Sequence, residues 1–84
     1  MVEAETLAER IRQAVGEVSH IVVTALTGTK DHWEAVIVSA AFSGKSRIQQ
    51  HQMVYAALGE LMAGPVHALA LKTYTPESWS EAKG

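Results

Sequence analysis

One strand-helix-strand passage constrains the fold of this chain more than any other feature. Trp33 to Ser39 is an apolar run rich in β-branched residues. From Ser46 the spacing becomes helical through Ile48, His51, Tyr55, Leu58 and Met62, with Val54 and Leu61 filling the same stripe. Gly64-Pro65 ends that helix, and Val66-His67-Ala68-Leu69-Ala70-Leu71 follows as a further strand, apolar on both faces like an interior or covered one. Two strands joined in this way and adjacent in one sheet run parallel with a right-handed crossover. Their beginnings, His32-Trp33 and Val66-His67, then fall on the same edge of the sheet. Two histidines can share one site there.

The remaining segments add three elements. Leu7, Ile11, Ala14, Val15 and Val18 follow helical spacing, which predicts a helix over residues 4–15 with Thr6 as N-cap and Gly16 as a left-handed stop. Ile21 to Leu26 is β-branched and pairs with the Trp33 run as an antiparallel hairpin across residues 27–32. Gly44 makes the turn before the long helix and Ser46 caps it. Thr75-Pro76 opens a short terminal helix carrying Trp79, with Thr as cap and Pro in the first turn. The order helix, strand, strand, helix, strand, helix describes one α+β domain over residues 1–84 with a three-stranded mixed sheet.

Composition narrows the function. With 84 residues there is room for one domain, and 48% hydrophobic against 19% charged residues is the balance of a folded globular chain. No run approaches the twenty apolar residues that a membrane helix requires. The acidic start Met1-Val2-Glu3-Ala4-Glu5 fits neither a secretory nor a transit peptide, so a cytoplasmic protein is expected. Cysteine is absent, which removes disulfides, thiolate nucleophiles and thiolate metal ligands and leaves histidine as the strong nitrogen ligand. A net charge of −2 supplies no general attraction for nucleic acid.

Four blocks in order carry a resemblance to a known family. They are Val36-Ile37-Val38-Ser39-Ala40-Ala41-Phe42-Ser43-Gly44-Lys45-Ser46, Gln50-His51-Gln52-Met53-Val54-Tyr55-Ala56-Ala57-Leu58, Val66-His67-Ala68-Leu69-Ala70-Leu71-Lys72 and Thr75-Pro76-Glu77-Ser78-Trp79. Together they resemble the BolA family, over a match from about Leu7 to Trp79. The resemblance implies a class II KH-like fold, in agreement with the element order above. It also implies partnership with a monothiol glutaredoxin in the assembly or transfer of a [2Fe–2S] cluster, and associations with transcription regulation and stress response. In the family a histidine at the start of the third strand and a Cys or His in the loop between the first two strands are linked to the cluster. Those positions match His67 and His32 here.

Such a cluster takes four ligands, and imidazole can replace thiolate at an iron. This chain can offer one or two of the four, so no cluster is expected on the isolated chain. A shared site with glutaredoxin and glutathione is the expectation, and the loop residues Thr29, Lys30, Asp31 and Trp33 would belong to the partner surface. The structural alternatives are a half-buried, locally hydrogen-bonded His67 and a solvated His32. His51, on the stripe shared with Tyr55 and Leu58, reads as a packed, hydrogen-bonded residue and not a ligand, and His20 has no assigned role.

The competing reading is a DNA-binding regulator in which Lys45, Arg47 and Lys72 contact phosphates, with steep salt dependence. A homodimer is compatible with either reading. Gly44-Lys45-Ser46 lacks the earlier glycine of a phosphate-binding loop, since Ser39 stands there. No Gly-x-x-Gly clamp of the KH type is present. Arg10 and Arg12 alternate with Glu5 and Glu9 as a solvated face, and no catalytic triad or carboxylate pair points to an enzyme.

Overall fold

The computed structural model describes residues 4–25, 32–59 and 68–83. Helix α1 spans Ala4–Val15, strands β1 and β2 span Val18–Ala25 and His32–Ser39, and a 3-10 turn covers Ala40–Phe42. Helix α2 spans Arg47–Leu58, strand β3 Ala68–Tyr74 and helix α3 Pro76–Lys83. β1 and β2 pair antiparallel, and β2 and β3 pair parallel, as the crossover demands. The strand order is β1-β2-β3. β2 is therefore the interior strand and β3 an edge, so of the two placements expected for the apolar third strand, interior or covered, the structure shows the covered one. Its apolar composition is satisfied by one covered face: Leu69 and Leu71 pack against the core while Ala70 and Lys72 on the other face are exposed.

Strand alternation divides the sheet into two unequal faces. On one, Trp33, Ala35 and Ile37 of β2 meet Leu7, Ile11 and Val15 of α1 and Val54, Ala57 and Leu58 of α2, with Phe42 completing the core. On the other, His20, Val38 and Tyr74 lie in one row across the three strands. The Trp79 ring of α3 closes over this row, with ring centroids 5.1 Å from His20 and 5.1 Å from Tyr74. Val38 beneath is fully buried. His20, to which the sequence assigned nothing, is thus one of the rings that seat α3.

Local signals explain most of the element ends. Ser46 accepts from the Gln49 backbone N–H while the Gln49 side chain accepts from the Ser46 N–H, a reciprocal cap that starts α2 after Gly44 at φ 79°. Thr75 accepts from the Ser78 N–H, and Pro76 is the first residue of α3. Gly16, at φ 78°, donates to the Arg12 carbonyl and stops α1. Thr6 is not the cap of α1, because the helix already begins at Ala4 and Thr6 lies within its first turn. The described part of α2 closes at Gly59, whose N–H donates to Tyr55 O, so Leu61, Met62 and the Gly64-Pro65 stop fall outside the described residues.

The buried face of α2 also differs from expectation. Val54, Ala57 and Leu58 face the core, whereas Ile48 is 70% exposed and Tyr55 is exposed as well. At 100° per residue Ile48 and Tyr55 lie well away from Val54, and the anchoring of Leu58 beneath α1 decides which side turns inward.

Ser39 joins three segments at the end of β2. It is fully buried, donates to Gly16 O at 2.6 Å and accepts from the Ala41 N–H at 3.0 Å. Ser39→Ala leaves both backbone groups without that partner. A loss of about 1–3 kcal/mol in unfolding free energy is expected from urea denaturation, with an unchanged slope.

Candidate functional site

Two regions gather the residues singled out by sequence. The first is the sheet edge where β2 and β3 begin. His32 is the first residue of β2, and its partner across the parallel ladder is Ala68, the first residue of β3. The residue joined directly to Ala68 is His67, which lies outside the described residues, as do Thr29, Lys30 and Asp31. Trp33, expected at a partner surface, is instead 2% exposed and belongs to the core. Its large apolar ring follows the core parity of Ala35 and Ile37, so it supports the edge from within and is not available for direct contact. Among the described residues no group of three or more His, Asp or Glu is arranged to hold a metal ion. Cysteine is absent from the whole chain, so it supplies no thiolate ligand.

The second region is a groove of ≈290 Å³ lined by Arg47 and His51 of α2 and by Leu71, Lys72, Thr73 and Tyr74 of β3. It brings together Arg47 and Lys72, two of the three cationic residues expected to act jointly. Lys45 is exposed two positions before Arg47 and is not part of the groove wall. Lys72 approaches Glu34 at 3.7 Å with both side chains well exposed, a contact that solvent screens and that leaves the ammonium open to another anion. Gln50 fixes the wall separation. Its amide donates to Lys45 O at 2.9 Å and Phe42 O at 3.3 Å, and its carbonyl accepts from Thr73 Oγ1 at 2.6 Å. His51 is half-buried and stands edge-on to the exposed Tyr55, with ring centroids 6.4 Å apart.

His51, Thr73 and Tyr74 were not foreseen in this region. One signal was available in the chain: no Asp or Glu occurs between Glu34 and Glu60, so that stretch carries +2 from Lys45 and Arg47 while the whole chain carries −2. Such an asymmetry marks a local basic surface on a mildly acidic protein.

Comparison with known proteins agrees with the order of elements. The family described as BolA-like protein matches residues 5–78. A Bos taurus protein named BolA-like protein 1 is 48% identical over 54 residues, which are 64% of this chain and 40% of that protein. The chain thus corresponds to about two fifths of that relative's length. An Escherichia coli protein named DNA-binding transcriptional regulator BolA is 35% identical over 94% of this chain and 81% of its own length. A crystal structure of a Bol-like protein from Babesia bovis superposes with a TM-score of 0.86 at 28% identity, over 100% of this chain and 96% of that one.

Proposed function

Since the chain belongs to the BolA-like protein family, we propose that it binds a monothiol glutaredoxin and helps to hold, stabilise or pass on a [2Fe–2S] cluster as cargo, with His67 as its principal ligand and His32 as the second candidate. The observation that carries this reading is the parallel register of His32 with Ala68, which brings the chain next to His67 to the same sheet edge as His32. The lack of cysteine adds a chemical reason for sharing: thiolates from glutaredoxin and glutathione must complete the ligand set. A neutral imidazole in place of one thiolate changes the charge at that iron, and the chain's own part is to supply that imidazole. No catalytic step is assigned to the chain.

The test is anaerobic mixing of the protein with a monothiol glutaredoxin, glutathione, iron and sulfide, followed by sizing chromatography and visible circular dichroism. A heterocomplex with a spectrum unlike that of the glutaredoxin alone is expected. An unchanged glutaredoxin spectrum with no complex on the column would overturn the reading.

A second reading, nucleic-acid binding, is favoured by a different observation: Arg47, from the acid-free stretch 35–59, and Lys72 both border one groove. The printed name of the Escherichia coli relative is in keeping with it. The two readings use opposite ends of the molecule's chemistry, imidazole ligation at a strand edge against phosphate contacts beside α2.

A further inference from the structure

The two edges of the sheet are unequally protected. In the order β1-β2-β3 each outer strand has one side without a strand partner among the described residues. β3 carries the exposed Lys72 at its middle, and its Thr73 is tied to Gln50 of α2 at 2.6 Å. Charged side chains, proline and bulges are the devices that keep an edge from pairing with another chain. β1 reads Val-Ser-His-Ile-Val-Val-Thr-Ala, with no Lys, Arg, Asp, Glu, Gly or Pro. Its register shifts between Val18 and His20, but from His20 to Ala25 it pairs step by step with Val38 to Trp33. A regular, uncharged edge therefore runs from His20 to Ala25. Ile21 and Val23 turn to the core, while on the other face Val22 is 45% exposed.

We propose that β1 pairs antiparallel with β1 of a second copy of this chain, about a two-fold axis through Val22, joining two three-stranded sheets into one. An axis perpendicular to the sheet keeps the two cores on one face, so residues directly opposite share strand parity. With the axis at Val22, that residue meets its own copy, Ile21 meets Val23, and His20 meets Thr24. Cross-strand pairs of β-branched residues stabilise both faces, and no charge is set against a like charge. An axis through Val23 would instead leave each exposed Val22 opposite Thr24. A foreign peptide could add to the same backbone, but it would have to bring an uncharged β-branched strand of its own. A second β1 already is one, which favours the second copy. Because Ala25 at the end of β1 pairs with Trp33 near the start of β2, antiparallel joining sends the two His32 edges to opposite ends of the combined sheet. Both edges stay open, so the dimer stands independently of the functional readings above.

The experiment is sedimentation equilibrium of the full chain from micromolar to millimolar concentration. The paired stretch is short, so a weak, reversible monomer–dimer equilibrium is expected. Val22→Lys and Val22→Glu each set like charges against one another at the axis and are expected to weaken the dimer about tenfold or more. Val22 is exposed in the monomer, so far-ultraviolet dichroism of both variants should match that of the unsubstituted chain. An equimolar mixture of the two variants is expected to dimerise again, because an ammonium then faces a carboxylate across the axis. Loss of fold in either variant cannot produce that recovery. Backbone amide shifts on raising the concentration of the unsubstituted chain should cluster at His20 to Thr24.

A chain that stays monomeric up to millimolar concentration would overturn the inference. A dimer equally tight in Val22→Lys would place the contact elsewhere and sink the assignment to β1. Two monomeric variants whose mixture also stays monomeric would rule out the self-contact at Val22. Species that grow beyond the dimer would show an open edge prone to aggregation in place of a closed pair. Concentration-dependent shifts confined to Ile48 and Tyr55, the other exposed large apolar residues, would move the interface to α2 and refute the proposal.

Discussion

His67→Ala is expected to abolish the visible circular-dichroism signature of a cluster shared with a monothiol glutaredoxin, while far-ultraviolet dichroism and the urea midpoint of the free protein stay near those of the unsubstituted chain. The size of the effect follows from the donor inventory. A chain without cysteine can replace a thiolate only through imidazole, so removing the principal imidazole removes the interaction that distinguishes the heterocomplex from glutaredoxin and glutathione alone. His32→Ala supplies the comparison. Its Cα pairs with Ala68 at the same edge, and its removal should alter the spectrum without erasing it if His67 is the principal ligand. A spectrum that survives His67→Ala intact and is lost with His32→Ala would exchange the two roles. Survival in both variants would show that the chain contributes no imidazole to the cluster.

Phe42→Ala is expected to be among the most destabilising single changes at the described residues. Phe42 is fully buried where the 3-10 turn after β2 passes beneath α2, and its carbonyl also receives the Gln50 amide at 3.3 Å. Truncating a buried aromatic ring costs about 3–5 kcal/mol in lost transfer energy and residual cavity. A domain of this length holds a total of roughly 4–13 kcal/mol, so the variant should be partly unfolded at room temperature or close to it. Urea denaturation followed by far-ultraviolet dichroism should show a midpoint lowered by about 2 M or more, for a slope near 1.5 kcal/mol per M. Ile48→Ala, at an apolar residue 70% exposed on α2, serves as the contrast and should change stability by less than about 0.5 kcal/mol. Equal losses at the two positions would contradict the core described above.

What was legible in the sequence was chiefly what local chemistry decides. The reciprocal Ser46–Gln49 cap, the glycine turn at Gly44, the Thr75-Pro76 start of α3 and the parallel crossover all follow from a few neighbouring residues or from chain chirality. What was not legible depends on tertiary choice. α2 carries apolar residues on several sides, so its periodicity alone does not say that Val54 and Leu58 turn inward while Ile48 and Tyr55 remain outside. Likewise the apolar β3 has the composition of an interior strand, yet β2 occupies that place because it pairs with both neighbours. At the candidate sites, a common sheet edge for the starts of β2 and β3 was foreseen from topology, though not the pairing of His32 with Ala68, whereas the burial of Trp33 depends on which face of β2 meets α1 and α2. Among the groove residues, His51 lies in the long run without acids, whereas Thr73 and Tyr74 are more than twenty positions further along the chain and no local signal joined them to it.

The parallel pairing of β2 with β3 also orders events in time. The β1–β2 hairpin closes between Ala25 and Trp33, eight positions apart, whereas β2 meets β3 between His32 and Ala68, thirty-six positions apart. Loop closure over the longer separation costs about 1.3 kcal/mol more chain entropy than over the shorter one, before any β3 contact repays it. Local pairs of this kind form early, and long-range parallel pairs form late. On a growing chain the hairpin and α2 can be present while the strand that follows His67 is still unmade. The edge that carries His32 and the groove beside α2 therefore both come into being at the same late step, the docking of β3, so neither binding surface exists on an incomplete chain.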